Sequence, residues 1–206
     1  MSNYTIDQTC FTDLESFDPA DVISRTGCDF DPESRRYRIK IWERFYCVDL
    51  KKYEVRPEDP GPESFHGYLH LFILYFLMKS SPLLPEGKWV SEKDIKGGAA
   101  FFRGPHTLPA ERISQEFGND IQAFRETCEK LGGVPLDLAD AAFFFQITPT
   151  VPVAVLYWLG DEDFSCETKL LFDRTIEQQL PLDIIFALAA EVCHALSRSS
   201  RLSQSG

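Results

Sequence analysis

Hydrophobic and basic residues alternate strictly near position 40, where Tyr37, Ile39 and Ile41 are separated by arginine or lysine. A period of two residues predicts a strand with one buried face and one exposed face. Two further short segments extend it into an antiparallel meander, whose strands we predict at Arg36–Ile41, Phe45–Asp49 and Lys52–Val55. Longer apolar segments in the second half of the chain predict another group of strands, at Phe143–Ile147, Val151–Trp158 and Thr168–Asp173.

Several segments carry helix signals. Asp18 can cap a helix, Pro19 suits its first turn, and Gly27 can end it. The segment FHGYLHLFILYFLMKS is apolar nearly all round, which predicts a central, buried helix. The remaining predicted helices are Pro109–Phe117, Asp120–Leu131 and Pro181–Leu196.

The order of these elements indicates the fold class. Strands and helices are clustered along the chain instead of alternating, which favours an α+β fold over an α/β fold. We expect a single domain over residues 1–196, in which a mostly antiparallel sheet is packed by helices. The polar sequence SRSSRLSQSG predicts a disordered tail at residues 197–206.

Charge and composition exclude several functions. The chain has 32 acidic and 21 basic residues, for a formal net charge of −11. Because this charge repels phosphate backbones and anionic lipids, we expect neither nucleic acid nor membrane as a partner. The longest apolar stretch, Leu71–Met78, is far shorter than the roughly 20 residues that span a bilayer. The N-terminus lacks a signal-peptide pattern, so we expect a cytoplasmic protein whose six cysteines, none in a CxxC motif, are free thiols.

An acidic segment, WLGDEDFSCETKLLFD, lies between two predicted strands. Its oxygen-bearing side chains alternate as in a calcium loop, but the glycine and glutamate that such a loop needs are replaced by Cys166 and Phe172. A looser Mg²⁺ or Ca²⁺ site formed by Asp161, Asp163 and Asp173 is one interpretation. The favoured alternative is a hairpin loop with solvated acids.

Two histidines offer a second candidate metal site. His66 and His70 are four residues apart, so on a helix they share a face and could bind one metal ion. The glutamate that follows the first histidine in zinc proteases is replaced by Gly67. This replacement favours the alternative, in which both histidines are partly exposed or hydrogen-bonded at the start of a helix.

Three cations share one face of the first predicted strand. Arg36, Arg38 and Lys40 could bind an anionic ligand or an acidic protein partner. The alternative is a solvated outer sheet face, because glutamates at positions 33, 43 and 54 are interleaved with the basic residues.

The order of several short motifs resembles a known family. The motifs are GKWVS, GGAAFF, KLGGVPLDLADAAFFFQITPTVPVAVLYWLGDEDF and LLFDRTIEQQLP. The elements that carry the likeness are Gly132-Gly133, Asp140, Pro149–Pro152, Trp158–Phe164 and Phe172-Asp173. Together they resemble the uncharacterised domain-of-unknown-function family 3786, over about residues 18–196. Members occur in anaerobes, and some relatives carry an iron–sulfur segment, which this chain lacks, or are associated with corrinoid metabolism.

The resemblance implies a cofactor-binding hypothesis. The leading expectation is a non-enzymatic cytoplasmic binding or accessory protein in anaerobic metabolism, whose ligand is a corrinoid or other haem-like tetrapyrrole. The expected pocket is aromatic, formed by Phe143, Phe145, Tyr157 and Trp158. Asp161 and Arg38 would fix polar groups of the ligand. At strand spacing, the same aromatic residues are more often part of a core.

Two other functions remain open at this point. The first is a metal-dependent hydrolase in which Asp161, Asp163 and Asp173 hold Mg²⁺ and activate water. The second is a protein–protein interaction module that uses the basic face of Arg36, Arg38 and Lys40.

Overall fold

The structure is a computed structural model, and it describes residues 7–59 and 67–203. Its helices are α1 (Gln8–Glu15), α2 (Pro19–Thr26), α3 (Gly67–Lys79), α4 (Gly98–Phe101), α5 (Glu111–Phe117), α6 (Ile121–Lys130), α7 (Ile176–Gln179) and α8 (Leu182–Ser203), with a 3₁₀ turn at Gly104–His106. Its strands are β1 (Asp29–Asp31), β2 (Arg36–Ile41), β3 (Arg44–Asp49), β4 (Glu54–Pro57), β5 (Trp89–Val90), β6 (Val134–Pro135), β7 (Ala141–Thr148), β8 (Val151–Trp158) and β9 (Glu167–Asp173). The described strands form two antiparallel sheets, which confirms the α+β fold class.

The four-stranded sheet has the order β1-β2-β3-β4. Strand β2 has the predicted bounds, and its apolar residues Tyr37, Ile39 and Ile41 are all buried. The β2–β3 hairpin turns at Trp42, which has the left-handed φ of +55°. Its backbone N–H donates to the carbonyl of Ile147 (2.7 Å), so the hairpin tip contacts the end of β7.

The five-stranded sheet has the order β5-β9-β8-β7-β6. Strands β7, β8 and β9 are its long centre, and two-residue strands flank them. Residues directly opposite one another share a face, as Phe143, Val155 and Leu170 do across three strands. This inner face is buried in the main core, where helices cover it.

The helices pack mainly through α3 and α8. Helix α3 follows the prediction of a buried helix, since Leu69, Phe72, Ile73, Leu74, Phe76, Leu77 and Met78 are buried. Among the described helices, it packs most extensively against α8. No helix in the described ranges is long and apolar enough to cross a membrane.

Helix α8 continues past the predicted end at Leu196, as far as Ser203. Residues 197–203, for which the sequence predicted a disordered tail, are therefore helical, and 204–206 lie outside the described residues. The hydroxyl of Ser197 donates to the carbonyl of Cys193 (2.8 Å), one turn earlier. Polar residues do not end a helix by themselves, and the sequence from Leu182 to Ser205 contains neither glycine nor proline.

Candidate functional site

The acidic loop between β8 and β9 is folded by one of its own carboxylates. Asp161 accepts hydrogen bonds through Oδ1 from the backbone N–H groups of Asp163 (2.9 Å) and Phe164 (2.8 Å). These bonds lower the pKa of Asp161. The backbone N–H of Asp161 in turn donates to the carbonyl of Phe164 (2.8 Å). Asp161 thus organises the loop, and Asp163 is an exposed residue within it.

The base of this loop approaches a neighbouring turn closely. A Cβ on Gly160 would lie 2.7 Å from the nitrogen of Cys166, so only glycine fits there. The N–H of Gly160 donates to Oδ1 of Asn119 (2.9 Å), and the N–H of Leu159 donates to Oδ2 of Asp140 (2.8 Å). An open depression of about 350 Å³ results, lined by Gly118, Asn119 and residues 160–166. Its lining is mostly polar loop, unlike the apolar lining typical of cofactor pockets.

Asp173 occupies a different environment at the far end of β9. The residue is 1% exposed. Its Oδ1 accepts from the N–H groups of Glu86 (3.1 Å) and Thr175 (3.0 Å) and from the Thr175 hydroxyl (2.8 Å). Its Oδ2 accepts from the N–H of Gly87 (2.7 Å). The carboxylate therefore fixes the segment before β5 and the turn after β9.

The three predicted acidic metal ligands do not come together. Strand β9 has seven residues, so its length of about 20 Å separates Asp173 from the loop that holds Asp161 and Asp163. Within the described ranges, no group of three histidine, cysteine, aspartate or glutamate side chains is placed to hold a metal ion. In the candidate histidine pair, His66 lies outside the described residues. Burial lowers the pKa of His70, and the negative charge of Glu54 partly offsets this decrease.

The predicted aromatic pocket residues are divided between two sides of the five-stranded sheet. Phe143, Phe145 and Tyr157 lie in the main core and are at most 1% exposed. Phe124 of α6 stacks on Tyr157, with ring centroids 4.5 Å apart, and the Tyr157 hydroxyl donates to the carbonyl of Gly118 (2.5 Å). Burial raises the pKa of Tyr157. These three rings are therefore part of the core and are closed to solvent.

Trp158 lies on the opposite side, because neighbouring residues in a strand point to opposite faces. It belongs to a small apolar cluster that we call the outer face, formed by Trp89, Leu136, Ala142, Phe144, Ala154, Leu156, Trp158 and Leu171. Trp89 and Phe144 have ring centroids 6.0 Å apart, and the small Ala154 lies between the strands that carry them. Trp89, Phe144 and Trp158 are partly exposed. No described helix contributes a side chain to this cluster.

Lys169 borders the outer face. Lys169 of β9 places Nζ 5.3 Å from the ring centroid of Trp158, within cation–π range. The same Nζ lies 3.1 Å from Oε1 of Glu167. The sequence does not reveal this face, because β8 is apolar at almost every position and its periodicity does not show which side of the strand is covered.

The basic face of β2 is largely neutralised by acids. Nε of Arg36 lies 2.7 Å from Oδ2 of Asp49. Nε of Arg38 lies 2.9 Å from Oε2 of Glu58, and its guanidinium stacks 3.6 Å above the ring centroid of Phe45. Nζ of Lys40 lies 3.4 Å from Oε2 of Glu43. Arg38 also lies in the other sheet from the candidate aromatic residues.

The motif elements that carry the family resemblance have visible structural roles. A Cβ on Gly133 would lie 2.8 Å from both the carbonyl of Cys128 and the ring of Phe145. Asp140, Asp161 and Asp173 all accept backbone hydrogen bonds that hold loops or turns. In this chain these elements thus stabilise the five-stranded sheet and its connections.

Comparisons with known proteins agree with the resemblance. Searches of curated proteins and of solved structures found no match. The model of one family, described as Domain of unknown function (DUF3786), matches residues 18–195. The chain therefore belongs to the DUF3786 family.

Proposed function

We propose that the protein is a non-enzymatic binding or accessory protein that holds another molecule on the outer face. The observation that carries this proposal is an apolar sheet surface on which Trp89, Phe144 and Trp158 are partly exposed. The exposure of large apolar side chains to water is unfavourable, so an open apolar sheet face often marks a binding site. Tryptophan is also enriched where proteins bind partners.

The chemistry of the carboxylates favours binding over hydrolysis. A hydrolase would need Asp161 and Asp173 to hold a metal ion or activate water. Both instead accept backbone hydrogen bonds that shape the polypeptide, and β9 separates them. Their positions are explained by folding alone, whereas the exposure of the outer face is not.

A corrinoid or haem-like tetrapyrrole is the small-molecule ligand to test on this surface. The macrocycle of such a ligand is nearly flat, and it could stack on Trp158. The ammonium group of Lys169 lies beside that ring and could contact a polar substituent. This arrangement replaces the enclosed aromatic pocket expected from the sequence, because only Trp158 of those four residues is accessible.

Nile red provides a first test because it is an uncharged dye that fluoresces on apolar protein surfaces. We expect the wild-type protein to bind it and Trp158→Arg to reduce the bound fluorescence by about threefold or more. Ile23→Arg is the matched control, since Ile23 is an exposed apolar residue of α2. Absence of dye binding to the wild type, or equal binding by Trp158→Arg, would refute the proposed binding surface.

The same variants test the tetrapyrroles. Hydroxocobalamin and haemin are titrated separately against the protein while the absorbance spectrum is recorded. A spectral change that saturates, and that disappears in Trp158→Arg but not in Ile23→Arg, would assign the outer face to a tetrapyrrole. Nile red binding without any such change would leave the surface to another class of partner.

A further inference from the structure

We infer that the outer face is the contact between two copies of this chain in a weak, two-fold symmetric dimer. The inference rests on the proposed function and names the molecule that the face holds. Val134 of β6 adds to this surface, since it lies directly opposite Phe144 and is 48% exposed. Apolar side chains therefore extend across the whole sheet, from Trp89 in β5 to Val134 in β6.

The accessible charge of this face is balanced. Three charged residues of the described strands point to this side of the sheet, namely Glu167, Lys169 and Asp173. Asp173 is 1% exposed and is held by backbone N–H groups. Nζ of Lys169 lies 3.1 Å from Oε1 of Glu167, so these two charges neutralise each other. The face thus carries almost no net charge, although the chain carries −11.

The neighbouring charges before β5 are also paired. Nζ of Lys88, the residue before Trp89, lies 2.9 Å from Oε2 of Glu86. A strongly acidic or basic partner would therefore find little complementary charge on this face. The face is complementary to another neutral, apolar surface.

A second copy of the chain provides such a surface. Two outer faces that meet bring together apolar side chains and one neutral ion pair from each copy, so like charges do not oppose each other at the contact. In a two-fold symmetric contact, every interaction that Trp158 makes with the other copy occurs twice. The acids elsewhere on the two chains still repel each other, and salt screens this long-range repulsion.

The size of the face limits how strong the dimer can be. Strands β7, β8 and β9 lie about 4.8 Å apart, and the eight residues of β8 extend about 26 Å, so their footprint is about 400 Å². The short strands at each side raise it to about 450 Å² per copy, or about 900 Å² for the dimer. Because stable complexes bury about 1,200–2,000 Å², we expect a dimer that dissociates on dilution in the micromolar range.

Analytical ultracentrifugation of the full-length protein, from about 1 to 300 μM, tests the dimer. We expect the sedimentation coefficient to rise from that of a monomer to that of a dimer across this range. Raising the NaCl concentration from about 50 to 500 mM should strengthen association about threefold or more, because it screens the repulsion between the two acidic chains. Association that weakens as salt is raised would indicate a contact held by ion pairs and would overturn the inference.

Charge variants of Lys169 connect the dimer to the outer face. Lys169→Glu leaves two acids on the face of each copy, so four acids meet at the contact, and association should weaken about tenfold or more. The double variant Glu167→Lys/Lys169→Glu keeps the pair neutral and should still dimerise. Lys52→Glu is the matched control, because it makes the same change of net charge at an exposed residue between β3 and β4.

Trp158→Arg should be monomeric at every concentration, whereas Ile23→Arg should dimerise like the wild type. Nile red provides an independent measurement, because the second copy would cover the surface that binds the dye. Bound dye per wild-type chain should fall about twofold or more as the protein becomes dimeric, and Ile23→Arg should show the same decrease. Circular dichroism of each variant shows that it is folded.

The outcomes separate this inference from the proposed function. A wild type that binds Nile red but stays monomeric at every concentration would overturn the dimer and leave the binding surface intact. Saturable binding of haemin or hydroxocobalamin by such a monomer would assign the face to a small ligand. A dimer that Trp158→Arg and Lys169→Glu leave unchanged would lie on another surface, which also overturns the inference. A monomeric wild type that binds no dye would remove the proposed function itself.

Discussion

Replacing Asp173 by asparagine measures how much one buried carboxylate contributes to this fold. Asparagine keeps an oxygen in the place of Oδ1, which accepts from Glu86 and Thr175. It also puts an NH₂ group where Oδ2 accepts from the N–H of Gly87, so two donors face each other. Because hydrogen bonds to a charged group contribute about 1.5–3 kcal/mol each, we expect the free energy of unfolding to fall by about 2–3 kcal/mol at neutral pH.

The effect should depend on pH in a defined direction. Burial by itself would raise the pKa of Asp173, but the hydrogen bonds from Thr175, Glu86 and Gly87 more than offset it, so the pKa is lower than its ordinary value. A carboxylate whose pKa is lower in the folded state contributes stability that is complete above its unfolded pKa, about 3.9, and is lost as pH falls through the folded value. The difference in stability between wild type and Asp173→Asn should therefore shrink below about pH 4.

Urea unfolding followed by circular dichroism, at neutral pH and at several acidic pH values, is a suitable assay. The midpoint should move while the dependence on urea concentration stays the same, because the variant buries the same surface. Asp163→Asn is the control, since it makes the same chemical change at an exposed residue. A loss smaller than about 0.5 kcal/mol, or a difference that stays constant through the acidic range, would contradict the role assigned to Asp173.

Two further substitutions test the packing around the five-stranded sheet. Trp42→Phe removes the indole N–H that donates to the carbonyl of Leu131 (2.6 Å). The free energy of unfolding measured in urea should therefore fall by about 1–2 kcal/mol, and an unchanged value would contradict the role of this bond. Gly133→Ala places a Cβ 2.8 Å from the ring of Phe145 and the carbonyl of Cys128. The melting temperature should therefore fall by an amount equivalent to about 1–3 kcal/mol in the free energy of unfolding. An unchanged melting temperature would show that the ring moves aside easily.

Local sequence patterns predicted the helices and strands that are marked by capping residues, breakers or a clear hydrophobic period. The alternation in β2 gave its bounds correctly, because one face is buried and the other is charged. Helix α2 begins at Pro19, and the side chain of Asp18 accepts from the N–H of Ala20 as a cap. Gly27 follows its end in the left-handed conformation, as predicted. Caps, breakers and a period of two depend only on neighbouring residues, so the sequence shows them directly.

Elements that depend on distant partners could not be predicted in the same way. Strands β5 and β6 have two residues each and are defined by pairing with β9 and β7. In β8, apolar side chains occur on both faces, so the sequence did not show that Tyr157 is buried while Trp158 is partly exposed. The role of Asp173 also depends on Glu86 and Gly87, which are more than 80 positions earlier in the chain.

The docking of the β2–β3 hairpin tip limits how the molecule can be divided. Trp42 bonds to Leu131, 89 positions later, and its ring lies 4.9 Å from that of Phe145, so the two sheets share a contact of high sequence separation. A fragment without the first sheet would expose Phe145 and leave the Leu131 carbonyl without this donor. We therefore expect the chain to unfold as one cooperative unit, and we expect that neither sheet folds when it is excised from the other.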